Sequence, residues 1–278
     1  YFCYNRRILF QECEHHLMKH DAFVPASDLT KLWRALIEFN MIEEGDKILI
    51  GLSGGKDSMF LTAALAEIQK HSPRHFDLLC YTMDGMFAED FPKKELEDFC
   101  RTYGLTHYSE QVNVEALWGH RGNTPCFSCA YFRRAAMNRK ARELGCSKIA
   151  LAHHNDDAVE TLMLNLFQSG QNKTFLPVTH LSRSGMTVIR PLLFYREAEI
   201  IAIGKKIGLP PLANPCPYDG KTQRQDMKEL ARRLEKEIPH FYDHMASALR
   251  HSDKEELWPE KLPQKTMLER FRAFWKKS

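Results

Sequence analysis

The sequence predicts an α/β protein built on a doubly wound, mostly parallel sheet, and three observations carry that prediction. From Lys47 onward, short apolar runs of strand length alternate with longer stretches of helical apolar spacing. The alternation recurs at the pitch of βα units, which implies a sheet with helices on both faces. The first apolar run leads through a glycine-containing turn, Ser53-Gly54-Gly55-Lys56-Asp57-Ser58, straight into an amphipathic helix.

Taken in order, residues 30–41 (TKLWRALIEFNM) carry apolar side chains at helical spacing and read as a helix. Candidate strands follow at 47–52, 76–83, 106–112, 148–152 and 187–190, and candidate helices at 58–70, 93–103, 129–144, 156–168 and 196–207. Residues 209–220 (LPPLANPCPYDG) form a proline-rich loop that puts Cys216 on irregular backbone. Residues 225–250 read as helical, 253–265 as charged and proline-broken, and 266–277 as a last helix. The organisation expected is a helical N-terminal extension over 1–45, the α/β domain over 46–210, and the cysteine loop with a C-terminal helical region over 211–278.

A chain of 278 residues can bury a full core, and 44% hydrophobic with 27% charged residues is the balance of a soluble globular protein. No apolar run approaches the roughly 20 residues of a membrane span. The first residues (YFCYNRRILF) have neither the apolar stretch nor the cleavage site of a signal peptide, so a cytoplasmic protein without membrane contact is expected. A net charge of +3 permits nucleic-acid binding without requiring it. Eight cysteines without a secretion signal argue against a disulfide scaffold. Cys80 and Cys146 lie in or beside apolar runs and are expected to pack.

Ligands of such sheets sit beyond the carboxyl ends of the strands. The glycine turn, Asp84 and His153 each follow a candidate strand and should share one crevice. Gly54 and Gly55 let consecutive backbone N–H groups converge, and the helix end adds partial positive charge, which together make an anion site. It is not a Walker A loop, which needs glycine in place of Ile50 and Ser or Thr in place of Asp57. Ser53 and Ser58 can donate to phosphate oxygens, Lys56 can offset phosphate charge, and Asp57 can hold Mg²⁺. Asp84 fits a Mg²⁺ or ribose contact, and equally a turn cap before Gly85. In the run Ala152-His153-His154-Asn155-Asp156-Asp157, Asp156 fits an N-cap or first-turn acid. That accounts for one aspartate but not for two histidines and two aspartates together, so at least one of the four is expected to meet nucleotide or Mg²⁺.

Cys126 and Cys129 form a C-x-x-C pair, with Cys216 far downstream and no second C-x-x-C. Structural zinc normally takes four protein ligands, whereas three cysteines suit a [4Fe–4S] cluster with one iron open to sulfide. A persulfide or disulfide relay and a zinc clip are the other readings of the pair. Arg133, Arg134, Arg139, Lys140 and Arg142 make the following helix basic, either as a phosphate-contacting face or as a solvated one. Cys3, Cys13, His15 and His16 match no common zinc-finger spacing.

Residues 53–58 resemble the PP-loop of ATP pyrophosphatases, which grip pyrophosphate and release AMP rather than ADP. From Lys47 to near Arg250 the chain resembles the tRNA 2-thiocytidine synthetase family of PP-loop enzymes. The matching stretches are SGGKDS at 53–58, CFSCAYFRR at 126–134, KIALAHHNDD at 148–157, IRPL at 189–192, Arg196-Glu197, and the Cys216 loop leading to Gln223-Arg224-Gln225. The chain departs from the family at Cys216, where P-C-x-x-C is common and only one cysteine stands, and at Glu160, where glutamine is common.

The resemblance implies the PP-loop fold of the adenine nucleotide alpha hydrolase type. It implies that ATP adenylates the 2-oxygen of a cytidine in a tRNA anticodon loop and that sulfur displaces AMP. It assigns catalysis to Lys56, Asp57, Cys126, Cys129 and Cys216, with the three cysteines on a [4Fe–4S] cluster and Mg²⁺ on Asp57. ATP would meet residues 53–58, Asp84, His153, Asp156 and Asp157, and tRNA would meet Arg133 and Arg134. A homodimer is implied too; the sequence leaves the sulfur donor open, with a cysteine desulfurase and inorganic sulfide as the candidates. The rival expectations are a PP-loop sulfurtransferase for another base or a small molecule, and a nucleotide-binding iron–sulfur sensor without turnover.

Overall fold

The computed structural model describes residues 24–87, 91–114, 125–209, 212, 223–250 and 263–275, with backbone alone at 125–128 and 270–275. Six strands form one sheet: β1 (Asp46–Gly51), β2 (Phe76–Asp84), β3 (Thr106–Gln111), β4 (Lys148–Ala150), β5 (Val178–Leu181) and β6 (Met186–Ile189). Their order is β3-β2-β1-β4-β6-β5. All neighbours are parallel except β5 and β6. The order reverses between β1 and β4, so the crevice beyond their carboxyl ends is the topological switch point where such sheets bind ligands.

Side-chain alternation along β1 explains the two-sided burial. Ile48 and Ile50 enter one apolar cluster, and Leu49 enters the other. The first cluster takes in α1 (Ala26–Glu38), α2 (Lys56–His71), α3 (Lys93–Thr102) and α6 (Glu197–Lys206). The second takes in α4 (Pro125–Glu143), through Ala136, Met137 and Ala141. The remaining helices are α5 (Asn155–Ser169), α7 (Gln223–Glu237), α8 (Phe241–Ala248) and α9 (Gln264–Trp275). The described chain falls into two compact units, one ending at Pro239 and one beginning at His240 that contains α8 and α9.

Helix α1 buries Leu29, Leu32, Ala35 and Leu36 along one face. It is fastened by the buried Tyr195, whose hydroxyl donates to Asp28 O at 2.6 Å and accepts from Leu32 N–H at 3.2 Å. Helix α2 is buried nearly all round from Ser58 to Ile68, which includes Glu67. The Glu67 carboxylate is met by Lys70 at 3.2 Å and His71 at 3.0 Å. At the opposite end of the strands from the crevice, Asp46 is buried at the start of β1. It accepts from Glu43 N–H, Ser147 Oγ and Lys148 Nζ, each at 2.7 Å.

The structure departs from the expected elements in four places. The first helix spans 26–38 rather than 30–41 and gives way to Asn40 in the left-handed region, φ 46°. The C-x-x-C helix starts at Pro125 rather than 129, with proline in the first helical position that suits it. The helical stretch over 225–250 is two helices, broken where Pro239 precedes His240 at φ 59°. Strand β5 was not expected; it is four residues long and pairs antiparallel with β6 across a turn with Gly185 at φ 67°. Cys80, Cys100 and Cys146 are buried free thiols, in line with packing roles. Among the described residues no helix is long and apolar enough to cross a membrane.

Candidate active site at the switch point

The loop after β1 is shaped by its glycines and by two linked serines. Gly54 sits at φ +81°, a conformation that a Cβ would strain, and Gly55 is the N-cap of α2. Ser58 Oγ accepts from Ser53 N–H at 3.1 Å, donates to Gly55 O at 2.9 Å, and lies 3.1 Å from Ser53 Oγ. Ser53 Oγ also accepts from Gly55 N–H at 3.3 Å. The hydroxyls thus hold the curl of the loop ahead of the helix N-terminus, which favours an anion there.

Lys56 projects from the first turn of α2 and meets two carboxylates, Asp57 Oδ2 at 3.0 Å and Glu197 Oε1 at 2.9 Å. Burial opposes its charge, but Asp57 and Glu197 outweigh burial and raise its pKa. Asp57 Oδ1 is buried without a hydrogen-bond partner. An orphaned carboxylate oxygen beside an anion loop fits a hard cation such as Mg²⁺.

After β4 the chain passes His153 and His154 into α5. His153, expected to meet nucleotide, tilts against the Phe175 ring at 4.9 Å between centroids. Burial lowers its pKa to about 4, so it is neutral at pH 7. His154 is the histidine that faces the carboxylates, at 3.9 Å from Asp57, 3.6 Å from Asp156 and 3.6 Å from Asp157. Burial works against its charge, and Asp156, Asp157 and Asp57 together raise its pKa.

The two aspartates are largely committed. Asp157 Oδ2 accepts the His154 N–H at 2.9 Å, which caps α5, and Oδ1 pairs with Arg224 at 3.0 Å. Asp156 is gripped by Arg196 Nε on both oxygens at 3.2 Å and by Glu197 N–H at 2.9 Å. Burial would raise its pKa, yet His154 and Arg196 hold it well below the usual carboxylate range. Glu160 is also buried, 3.4 Å from Arg224, and burial with the neighbouring Asp157 raises its pKa.

Asp84 acts as a turn cap: Oδ1 accepts from Met86 N–H at 2.8 Å, and Oδ2 accepts from Gln111 Nε2 at 3.2 Å. Gln111 also lines a cavity of about 410 Å³ between the end of β3 and α4, together with Asn113, Phe132, Ala136 and Arg139. Arg139 pairs there with Glu110.

Helix α4 carries positions 126 and 129 one turn apart near its N-terminus. Cys129 is free and half-buried, with Arg133 Nη2 3.8 Å from its sulfur. Two cysteine positions one helical turn apart are chemistry that suits a soft metal or cluster. Arg133 and Arg134 are exposed. The side chain of Cys126, and all of Cys216, Cys3, Cys13, His15 and His16, lie outside the described residues. Among the described residues no group of three or more His, Cys, Asp or Glu is arranged to hold a metal ion.

A glycine anion loop at the switch point of a parallel sheet defines a nucleotide-binding protein of the PP-loop class, and the family model described as a PP-loop domain matches residues 27–234. The chain is 37% identical over 221 residues to tRNA-cytidine(32) 2-sulfurtransferase from Pelobacter propionicus, covering 78% of this chain and 82% of that one. It is 36% identical over 211 residues to the protein of the same name from Geobacter metallireducens, covering 74% and 82%. The chain belongs to the tRNA-cytidine(32) 2-sulfurtransferase family of PP-loop proteins. Its fold also matches the U34-tRNA thiolase NcsA from Methanococcus maripaludis, solved with its [4Fe-4S] cluster, at TM-score 0.66 and 22% identity over 84% of this chain and 80% of that one.

Proposed function

We propose that this protein uses ATP to adenylate the 2-oxygen of a cytidine in a tRNA anticodon loop and then replaces that oxygen with sulfur, releasing AMP and pyrophosphate. The observation that carries the reading is the pairing of a glycine anion loop with a C-x-x-C helix in one chain of this family. Adenylation converts a poor leaving oxygen into a good one, and anticodon loops present unstacked bases that a crevice can admit.

The loop N–H groups with Ser53 and Ser58 orient the polyphosphate, and Lys56 offsets its charge. Asp57 would hold Mg²⁺ through Oδ1, the remaining oxygens coming from phosphate and water. Asp156, Asp157 and His154 fix the loop after β4 against Asp57, so their part is to position the nucleotide's surroundings. The open hollow beside Gln111, whose amide bonds Asp84, would give the nucleoside end room. Cys126, Cys129 and Cys216 would hold the [4Fe–4S] cluster, which when bound supplies a soft-metal site for sulfur chemistry. Arg133, 3.8 Å from the Cys129 sulfur, offers charge with Arg134 to tRNA phosphates. A homodimer, a cytoplasmic location, and sulfur from a cysteine desulfurase or inorganic sulfide complete the proposal.

The test is mass spectrometry of tRNA nucleosides from a strain lacking the protein, expected to show loss of 2-thiocytidine. An unchanged nucleoside profile would overturn the tRNA reading and leave a small-molecule substrate ahead. In the purified protein, Cys129→Ala should abolish thiolation while ATP-dependent pyrophosphate release continues. Equal loss of both activities would mean that the cysteine serves adenylation instead.

A further inference from the structure

Helix α7 brings a second set of cations to the strand ends. Arg224, Lys228 and Arg232 recur every four residues, which aligns them along one helix face. Arg224 reaches Asp157 at 3.0 Å and Glu160 at 3.4 Å. Lys228 reaches Glu197 Oε1 at 2.7 Å, and Arg232 reaches Glu197 Oε2 at 3.4 Å. The oxygen that takes Lys228 is the one that takes Lys56, at 2.9 Å.

Two ammonium groups, one on the glycine loop's helix and one on α7, therefore converge on a single carboxylate oxygen. Burial works against the charge of Glu197, but Lys228 and Lys56 hold its pKa down to about 2, so it is ionised at any physiological pH. Three cations, Lys56, Lys228 and Arg232, thus share the single carboxylate of Glu197 beside the glycine loop. Like charges held this close repel unless an anion lies between them. A single carboxylate serves that purpose poorly beside a polyphosphate, which offers several charged oxygens on linked phosphorus atoms.

We propose that Lys228 is a second ligand of the nucleotide's polyphosphate, and that Glu197 holds Lys228 and Lys56 together in its absence as the stand-in anion. The inference rests on the reading of the glycine loop as the pyrophosphate site and extends that site to α7. Entering phosphate oxygens take the two ammonium groups from Glu197, so α7 is drawn to the nucleotide and released with pyrophosphate.

The experiment measures binding of inorganic pyrophosphate and, separately, of AMP to the full chain by calorimetry. Lys228→Met removes the charge and keeps the stem. It should weaken pyrophosphate binding roughly tenfold to a hundredfold, the range of a lost charge-assisted bond, and leave AMP binding unchanged. Lys228→Arg should restore most of the affinity, and Arg233→Ala, on the same helix, should behave as wild type. Glu197→Gln frees both ammonium groups and should tighten pyrophosphate binding. If Lys228 only fastens α7 to the unit, Lys228→Met lowers the thermal midpoint while pyrophosphate affinity stays at the wild-type value, and the proposal is overturned. Parallel loss of AMP and pyrophosphate binding overturns it as well. Lys56→Met separates the two readings. If it loses pyrophosphate binding and Lys228→Met does not, the loop keeps its function and only the α7 assignment falls. If neither loses binding, both fall.

Discussion

At its start, β1 carries Asp46, a buried carboxylate with three partners at 2.7 Å, one of them the buried Lys148 of β4. At its finish the same strand enters a crevice where Asp57 Oδ1, His153 Nδ1 and His154 Nδ1 are buried with no hydrogen-bond partner. Both ends join β1 to β4, and both do so with charge. The difference lies in satisfaction. A buried ion pair whose lone pairs are filled has nothing left to offer a ligand and serves the fold. Orphaned atoms beside cations that share one carboxylate carry a standing cost that a ligand can relieve.

The largest effect expected from breaking this contrast is at the satisfied end. Asp46→Asn leaves the buried Lys148 with only the exposed Glu43 carboxylate at 3.6 Å and should cost about 3 kcal/mol of stability in urea unfolding, while the folded fraction forms AMP at the wild-type rate. A loss of activity larger than the loss of folded protein would show that the two ends are not independent. At the other end, Lys56→Ala should slow AMP formation by about 10²–10³ with little change in the unfolding midpoint. Near-normal turnover would remove the loop from the chemistry.

Acid sharpens the comparison. Burial would raise the Asp46 pKa, but Lys148 and Ser147 outweigh it and lower the value below that of the unfolded chain. Its contribution to stability is therefore complete above the unfolded pKa and is lost as pH falls through the folded one. Stability should drop in the acid limb below about pH 4, and Asp46→Asn should make that limb shallower. Identical limbs in the two proteins would contradict the assignment. The smallest effect belongs to a pair at neither end: Arg101 and Asp98 on α3 are both well exposed at 2.7 Å, and Arg101→Ala should change stability by about 0.5 kcal/mol or less.

What the sequence disclosed follows the same division. The glycine loop was legible because its chemistry lies in six consecutive residues between a strand and a helix, so that local conformation alone makes the site. The alternation of strands and helices was legible for the same local reason. The four-residue strand β5 was not, because His180 and Thr179 give it no apolar period and only its pairing with β6 defines it. Two misplaced boundaries had available signals: Pro125 marks a helix start, and Pro239 marks a helix stop. Which histidine faces the carboxylates depends on how the chain leaves β4, and the run His153-His154 does not encode that. The meeting of Lys56, Glu197 and Lys228 was the least legible, since three distant segments converge there only through the order of the sheet. Arg196-Glu197 stood out as a matching pair, with nothing in the sequence to say what it holds.

Tyr195 stands immediately before that pair, and its hydroxyl ties two backbone groups of α1 to the strand-end loop. Anyone transplanting the nucleotide-binding unit into another protein would be tempted to cut just ahead of β1, where the glycine loop's own strand begins. That cut would strip the buried Tyr195 hydroxyl of both partners, and Tyr195 is the ring against which Phe60 packs edge-on at 5.4 Å. The portable module begins upstream of Leu29, and a fusion partner has to be joined ahead of α1.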